Sequence, residues 1–145
     1  MISVTDQEKA LQVLQDKDAI RELFTKYCFL TDSNSVTERA ELFTEDCEYN
    51  VDGEELRGRD ATKVIVDHDL PEGRIRPIKH LTLNVAIEVN GDEARADSYA
   101  LVIQRSPDGL SLNTIVVGRY EDVLVKQDGN WFFKIRTQYE DLALA

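Results

Sequence analysis

Cysteine is scarce in this 145-residue chain. Only Cys28 and Cys47 occur, with no Cys-x-x-Cys pair between them. That excludes a disulfide framework and a thiolate metal knuckle, and leaves two buried thiols in a reducing compartment as the expectation. Histidine is equally scarce. His68 and His80 each lack a His-x-x-x-His or Glu-x-x-His neighbour, so no metal site is expected. Basic charge is outnumbered, 17 Lys and Arg against 28 Asp and Glu, for a net charge of −11. So acidic a chain is poorly suited to neutralising phosphates, whether of nucleic acid or of an anionic membrane surface. Apolar runs are short, such as Tyr99 to Ile103, and none approaches the ~20 residues that span a bilayer. The first residues, MISVTDQEKA, carry neither a basic patch nor an apolar core of signal-peptide type, so a cytoplasmic location is expected. Repeats, low-complexity stretches and linkers are missing too. What is present is an ordinary globular balance, 42% hydrophobic and 31% charged, which reads as one domain over residues 1–145.

Helical patterns fill the first third. Thr5-Asp6-Gln7-Glu8 has the form of a capping box, and Ala10, Leu11, Val13 and Leu14 follow it. Ile20, Leu23, Phe24 and Tyr27 then recur at the spacing of one buried helical face, until Asp32-Ser33-Asn34 ends the pattern. Ser35-Val36-Thr37-Glu38 opens a short helix expected to bury Ala40, Leu42 and Phe43. Cys47–Val51 reads as a strand turned back by Asp52-Gly53, and Asp60 as the cap of a helix running from Ala61 to about Asp67. Pro71, Gly73 and Pro77 mark a loop. Four strands follow: Lys79–Val89, Ala94–Gln104, Leu112–Val125 and Trp131–Gln138. They are separated by Asn90-Gly91, Ser106-Pro107-Asp108-Gly109 and Asp128-Gly129. Helices segregated from a hairpin-connected sheet make an α+β fold, with the curved antiparallel sheet wrapped around a pocket that the N-terminal helices cover.

Several segments carry a family likeness over roughly residues 15–137. They are Asp18-Ala19-Ile20-Arg21-Glu22-Leu23 with Tyr27 and Asp32, Ala40 through Cys47, Gly58-Arg59-Asp60-Ala61, His80 through Val85, and Gly118-Arg119-Tyr120-Glu121-Asp122 with Trp131 beyond. The chain thereby resembles the SnoaL-like proteins of the NTF2-like superfamily, which include scytalone dehydratase, bile-acid 7α-dehydratase, ketosteroid isomerase and polyketide cyclases. The resemblance implies a cone-shaped fold with an apolar pocket and no cofactor. It says less about the reaction, because one fold hosts many functions.

Period two places His80, Thr82, Asn84 and Ala86 on one face of their strand, and Leu81, Leu83, Val85 and Ile87 on the other. Composition alone favours a hydrogen-bonded structural role for His80. The dehydratase-like relatives carry a proton-transferring histidine there, paired with an aspartate five residues after a tyrosine, a spacing that Tyr27 and Asp32 reproduce. An aspartate at a helix C-terminus is electrostatically disfavoured, which itself draws attention to Asp32, although a simple helix-ending role also fits. On a regular helix the two side chains lie about 140° apart, so they converge only if the helix frays or tightens before Asp32. Tyr27 continues the buried stripe, and Tyr49 alternates with Cys47 and Val51. Either is a packing residue or a phenol able to donate to an oxygen gaining charge. Asn84 and Phe24 are candidate substrate contacts. His68, in Asp67-His68-Asp69, reads as a solvated helix end or a residue at the pocket mouth. Gly118 has no Gly-x-Gly-x-x-Gly context and reads as a sheet glycine. Scytalone dehydratase has a second catalytic histidine on a later strand, and this chain has none after His80.

The expected activity is lyase or isomerase proton transfer on a small hydrophobic carbonyl compound such as a steroid, terpenoid, polyketide or aromatic catabolite. His80 would be the base, Asp32 its partner, and Tyr27 with Tyr49 would hold the enolate oxygen. Two other classes fit the same fold: a small-molecule-binding module without catalysis, and an assembly subunit like the small β-subunit of ring-hydroxylating dioxygenases. If His80 faces the pocket, then Leu81, Leu83, Val85 and Ile87 face outward. Together with Tyr99, Leu101, Ile103, Ile115 and Val117 they would form an apolar patch large enough to call for a homodimer or homotrimer.

Overall fold

A computed structural model describes residues 1–64 and 77–143. Helix α1 spans Val4–Asp32 and α2 spans Val36–Ala40; strands β1 (Phe43–Val51) and β2 (Glu54–Arg57) lead into a 3-10 helix, Arg59–Val64. Strands β3 (Ile78–Asn90), β4 (Glu93–Arg105), β5 (Leu112–Gln127) and β6 (Asn130–Ala143) complete the chain. The element order matches the sequence pattern, and α+β is the observed class. The pairing differs from expectation in one respect. The sheet runs β2-β1-β6-β5-β4-β3, and β1 lies parallel to β6, so it is mixed rather than wholly antiparallel. Hairpin signals specify sequence neighbours only, and the β1–β6 contact joins strands far apart in the chain.

The ends of α1 are set by local chemistry. Ser3, not Thr5, caps the start: its hydroxyl accepts from the Asp6 N–H. The apolar residues of the first turns do not pack inward; Leu11 is 56% and Leu14 64% exposed, and burial begins at Asp16. There Trp131 donates to the Asp16 carboxylate at 3.0 Å, Gln12 at 3.3 Å, and Lys126 stands 2.7 Å away. These contacts tie α1 to the β5–β6 hairpin. Burial opposes the Asp16 charge, but the bonds from Lys126 and Trp131 prevail and hold its pKa below the usual carboxylate range. At the other end the N–H of Ser35 bonds to the Leu30 carbonyl and that of Asn34 to the Thr31 carbonyl, with Asn34 at φ +57. This is a Schellman termination with asparagine in the left-handed position.

The core joins Ile20, Leu23, Phe24 and Tyr27 of α1 to Phe43, Cys47 and Tyr49 of β1 and to Leu124, Trp131 and Phe133 of β5 and β6. Phe43 belongs to β1 rather than to the preceding helix. The Phe24 and Phe133 rings stack at 5.5 Å. Arg59 donates twice to the Phe43 carbonyl, and Arg39, fully buried, donates to the Thr62 carbonyl, so α2 and the 3-10 helix are fastened to the sheet. The third helix expected from Ala61 is this 3-10 segment as far as Val64; its expected continuation, and the loop marked by Pro71 and Gly73, lie outside the described residues. Gly118 is required by packing: a Cβ there would sit 2.2 Å from the Tyr139 carbonyl oxygen.

Strand β3 carries the consequential irregularity. Its register with β4 shifts between Leu83 and Ala86, and Asn84 adopts φ +54. This is a β-bulge, placed on a residue type that tolerates the left-handed region. Before it, His80 and Thr82 face inward opposite Val102 and Ala100. Beyond it the parity reverses, and Val85, Ile87 and Val89 pack against the core.

Candidate active site

Asp32 is the last residue of α1, and α1 stays helical through it. The condition set by the Tyr27–Asp32 spacing is therefore answered by divergence, since the two side chains leave the helix toward different partners. Asp32 faces β3. Its Oδ1 lies 2.8 Å from Nδ1 of His80 and accepts from the His80 backbone N–H at 3.0 Å. One buried carboxylate thus holds both the ring and the main chain of the histidine. A carboxylate partner places the proton on Nδ1, so Nε2 is left as the free, basic nitrogen. This contact was expected from the sequence. The second bond, to the main chain, was not, because it depends on the docking angle of α1 against β3.

His80 lines a cleft of about 370 Å³ between α1 and β3, together with Arg21, Phe24, Cys28 and Thr82. Cys28 Sγ and Thr82 Oγ1, 3.3 Å apart, both line it. Burial pushes the Cys28 thiol up, so it stays protonated near neutral pH. Phe24, a predicted substrate contact, is a wall of this cleft. Asn84, also predicted to touch the substrate, is not: the bulge turns it to the exposed side, where it lines a separate depression with Tyr99 and Arg119. His68 lies outside the described residues.

Tyr27 and Tyr49 meet each other deeper in the core. Their hydroxyls are 3.0 Å apart, and Tyr49 donates to the Gln138 side chain at 2.9 Å. Neither is among the residues that line the cleft; Phe24 stands between, its ring shared by cleft and core. Burial raises the Tyr49 hydroxyl well above the ordinary tyrosine range, and the neighbouring phenols add to the shift. It is a donor, not a base.

Arg136 was missed in the sequence, where it reads as an ordinary strand charge. Its side chain is fully buried, with the guanidinium carbon 3.6 Å from the Tyr120 ring centre, 4.2 Å from that of Tyr27 and 4.5 Å from that of Phe133. Asp122 is its ionic partner at 3.5 Å. Burial pushes the Asp122 carboxyl up to about 7, against the opposing pull of Arg136. The only available sequence signal is that Asp122 and Arg136 fall at inward positions of adjacent strands, and pairing them requires the β5–β6 register.

Residues 12–137 match the SnoaL-like domain. The chain belongs to the SnoaL-like domain family. Solved structures agree. A variant of Rv3472, a function-unknown protein from Mycobacterium tuberculosis, is 28% identical with a TM-score of 0.78, over 99% of this chain and 79% of that one. An NTF2-like protein with a cystatin-like fold from Novosphingobium aromaticivorans is 25% identical with a TM-score of 0.84, over 100% and 94%. A protein from the same organism, provisionally named a scytalone dehydratase, is 30% identical with a TM-score of 0.75, over 90% and 87%. No curated protein matches the chain. The SnoaL-like chain has no group of three or more metal-ligating side chains among its described residues, and no described helix is long and apolar enough to cross a membrane.

Proposed function

We propose that this SnoaL-like protein is a cofactor-independent lyase or isomerase that moves a proton on a small hydrophobic carbonyl compound. The observation that carries the reading is the 2.8 Å contact between Asp32 Oδ1 and His80 Nδ1 beside an apolar cleft. His80 Nε2 takes a proton from the carbon α to the carbonyl, and the C–H electron pair moves onto the carbonyl oxygen to form an enolate. Asp32 stabilises the imidazolium so produced and keeps the ring aimed. Collapse of the enolate with loss of a β-hydroxyl, which takes the proton from His80 and leaves as water, is dehydration. Return of the proton to another carbon is isomerisation.

The Tyr27–Tyr49 hydroxyl pair is the proposed site for the enolate oxygen. Rotation of the Tyr27 O–H about its C–O bond releases its proton from Tyr49, which keeps Gln138 as acceptor. The Arg136 cation beneath the Tyr27 ring favours negative charge at that place. In this arrangement the substrate head passes Phe24, which must turn aside to admit it. The test is hydrogen–deuterium exchange α to the carbonyl of a panel of hydrophobic ketones in D2O, followed by NMR. Wild-type protein is expected to catalyse exchange, with His80→Ala inactive and Tyr27→Phe at least ten-fold slower. Exchange undiminished in His80→Ala would refute the reading.

The outward face of the sheet supports a homo-oligomer. Leu83, Tyr99, Arg119 and Tyr139 form one row across four strands, and Leu81, Leu101 and Val117 lie in the next. Tyr99 is 57% exposed, and Arg119 stacks over Tyr139 at 4.2 Å. The patch is smaller than the sequence implied, since the bulge withdraws Val85 and Ile87. We assign a second copy of the chain to it, and light scattering at micromolar concentration tests this: Tyr99→Lys should shift the protein to monomer.

A further inference from the structure

The cleft beside His80 is long and apolar, and its rim carries a cation. On α1, Arg21, Phe24, Cys28 and Asp32 follow one another along a single face, while β3 runs the opposite way through His80, Thr82 and Val85. Asp32 meets His80 at one end, and Cys28 meets Thr82 midway. Arg21 therefore stands at the far end, opposite Val85. The helical rise over eleven residues and the strand rise over five both give a length of about 16 Å. Arg21 pairs with no carboxylate among the described residues, although the chain carries a net charge of −11 and Asp18 is one helical turn away. Arg21 is solvent-exposed at the mouth of the cleft, so its guanidinium is open to an anionic group on a ligand.

We infer that the ligand is an elongated hydrophobic carboxylate, with its carbonyl end at His80 and its carboxylate on the guanidinium of Arg21. This rests on the proposed proton-transfer reading for the orientation of the ligand, but not for its charge. Phe24, Cys28 and Thr82 line the stretch between the two ends. The planar guanidinium binds a carboxylate through two parallel N–H bonds, a geometry that lysine does not reproduce. Arg21 is then a specificity-determining residue, and the chemistry at His80 does not require it.

The experiment is fluorescence titration with 4-(1-naphthyl)butanoate and its uncharged methyl ester, using wild type, Arg21→Gln, Arg21→Lys and His80→Gln. Wild type should bind the acid at least five-fold more tightly than the ester. Arg21→Gln should erase that preference while keeping the affinity for the ester, Arg21→Lys should restore only part of it, and His80→Gln should leave it intact. Equal binding of acid and ester by wild type overturns the inference. So does a preference that survives in Arg21→Gln, or one that vanishes in His80→Gln, which would put the carboxylate on the histidine instead. Because the readout is binding, it is separable from the exchange assay. Loss of the His80 dependence of exchange with the acid preference preserved would sink the enzymatic reading alone.

Discussion

Two carboxylate contacts, Asp32–His80 and Asp122–Arg136, are built differently. Asp32 and His80 sit at a helix end beside a cleft, joined by hydrogen bonds of 2.8 and 3.0 Å, with one ring nitrogen left over. Asp122 and Arg136 sit in the interior at 3.5 Å. The side-chain nitrogens of Arg136 and the carboxylate oxygens of Asp122 make no hydrogen bond within the described structure, and the guanidinium is held mainly by aromatic faces. The directional bonds of the first pair fix a tautomer, which is what the proposed proton transfer requires. The second supplies charge without direction, a cation under a phenol. A buried pair is weak evidence for stability by itself, and bond geometry is what separates a chemical role from an electrostatic one.

The largest effects are expected at the cleft. His80→Ala and Asp32→Asn should each lower turnover by about 10²- to 10⁴-fold, the usual contribution of a positioned acid–base group. Asp32→Asn should retain ligand binding, and thermal melts should show both variants folded. Second comes the interior. Arg136→Met strands a buried carboxylate and should cost about 3–5 kcal/mol of stability in chemical denaturation. The loss should be larger at pH 8 than at pH 5, where Asp122 can take up a proton.

Wild-type stability should carry the same signature at lower amplitude. The Asp122 carboxyl titrates at about 7 in the folded chain against an ordinary 3.8, so the folded state binds the proton more tightly. The stabilisation it brings is present below pH ~4 and is lost as pH rises through 7. Asp16, lowered by its partners, acts in the opposite sense and withdraws stability as pH falls through its folded value. Melting curves of Asp122→Asn should therefore gain on wild type between pH 5 and pH 8. The smallest effect is expected at the bulge. Asn84→Val forces a β-branched residue toward φ +54 and should cost about 1–2 kcal/mol, with Asn84→Gly near neutral.

Much of the fold was legible because it is written locally. The turns Asp52-Gly53 and Asp128-Gly129 place both residues at positive φ, as two-residue hairpins require, and their neighbouring strands follow. The Asn90-Gly91 signal was displaced by one: Asn90 closes β3, and Gly91 with Asp92 forms the turn. The capping error at Thr5 is similarly small, since Ser3-x-x-Asp6 competes with Thr5-x-x-Glu8 two residues on. The candidate site was legible in its parts, His80 and Asp32, through a resemblance. Asn84 was misplaced because an alternation argument assumes an unbroken pleat, and one extra residue reverses every face beyond it.

The sequence by itself determined the α+β class, the strand order along the chain, the end of α1 at Asp32 and the inward stripe of Ile20, Leu23, Phe24 and Tyr27. Each depends on interactions within a few residues, between a cap and a helix or across a two-residue turn. Tertiary structure alone decided that β1 runs parallel to β6, that β3 bulges at Asn84, that Asp32 holds the His80 main chain as well as its ring, and that Arg136 is caged by Tyr120, Tyr27 and Phe133. Those outcomes depend on strands and helices brought together from distant parts of the chain. Their free energy comes from burying one shared core, to which no local pattern has access.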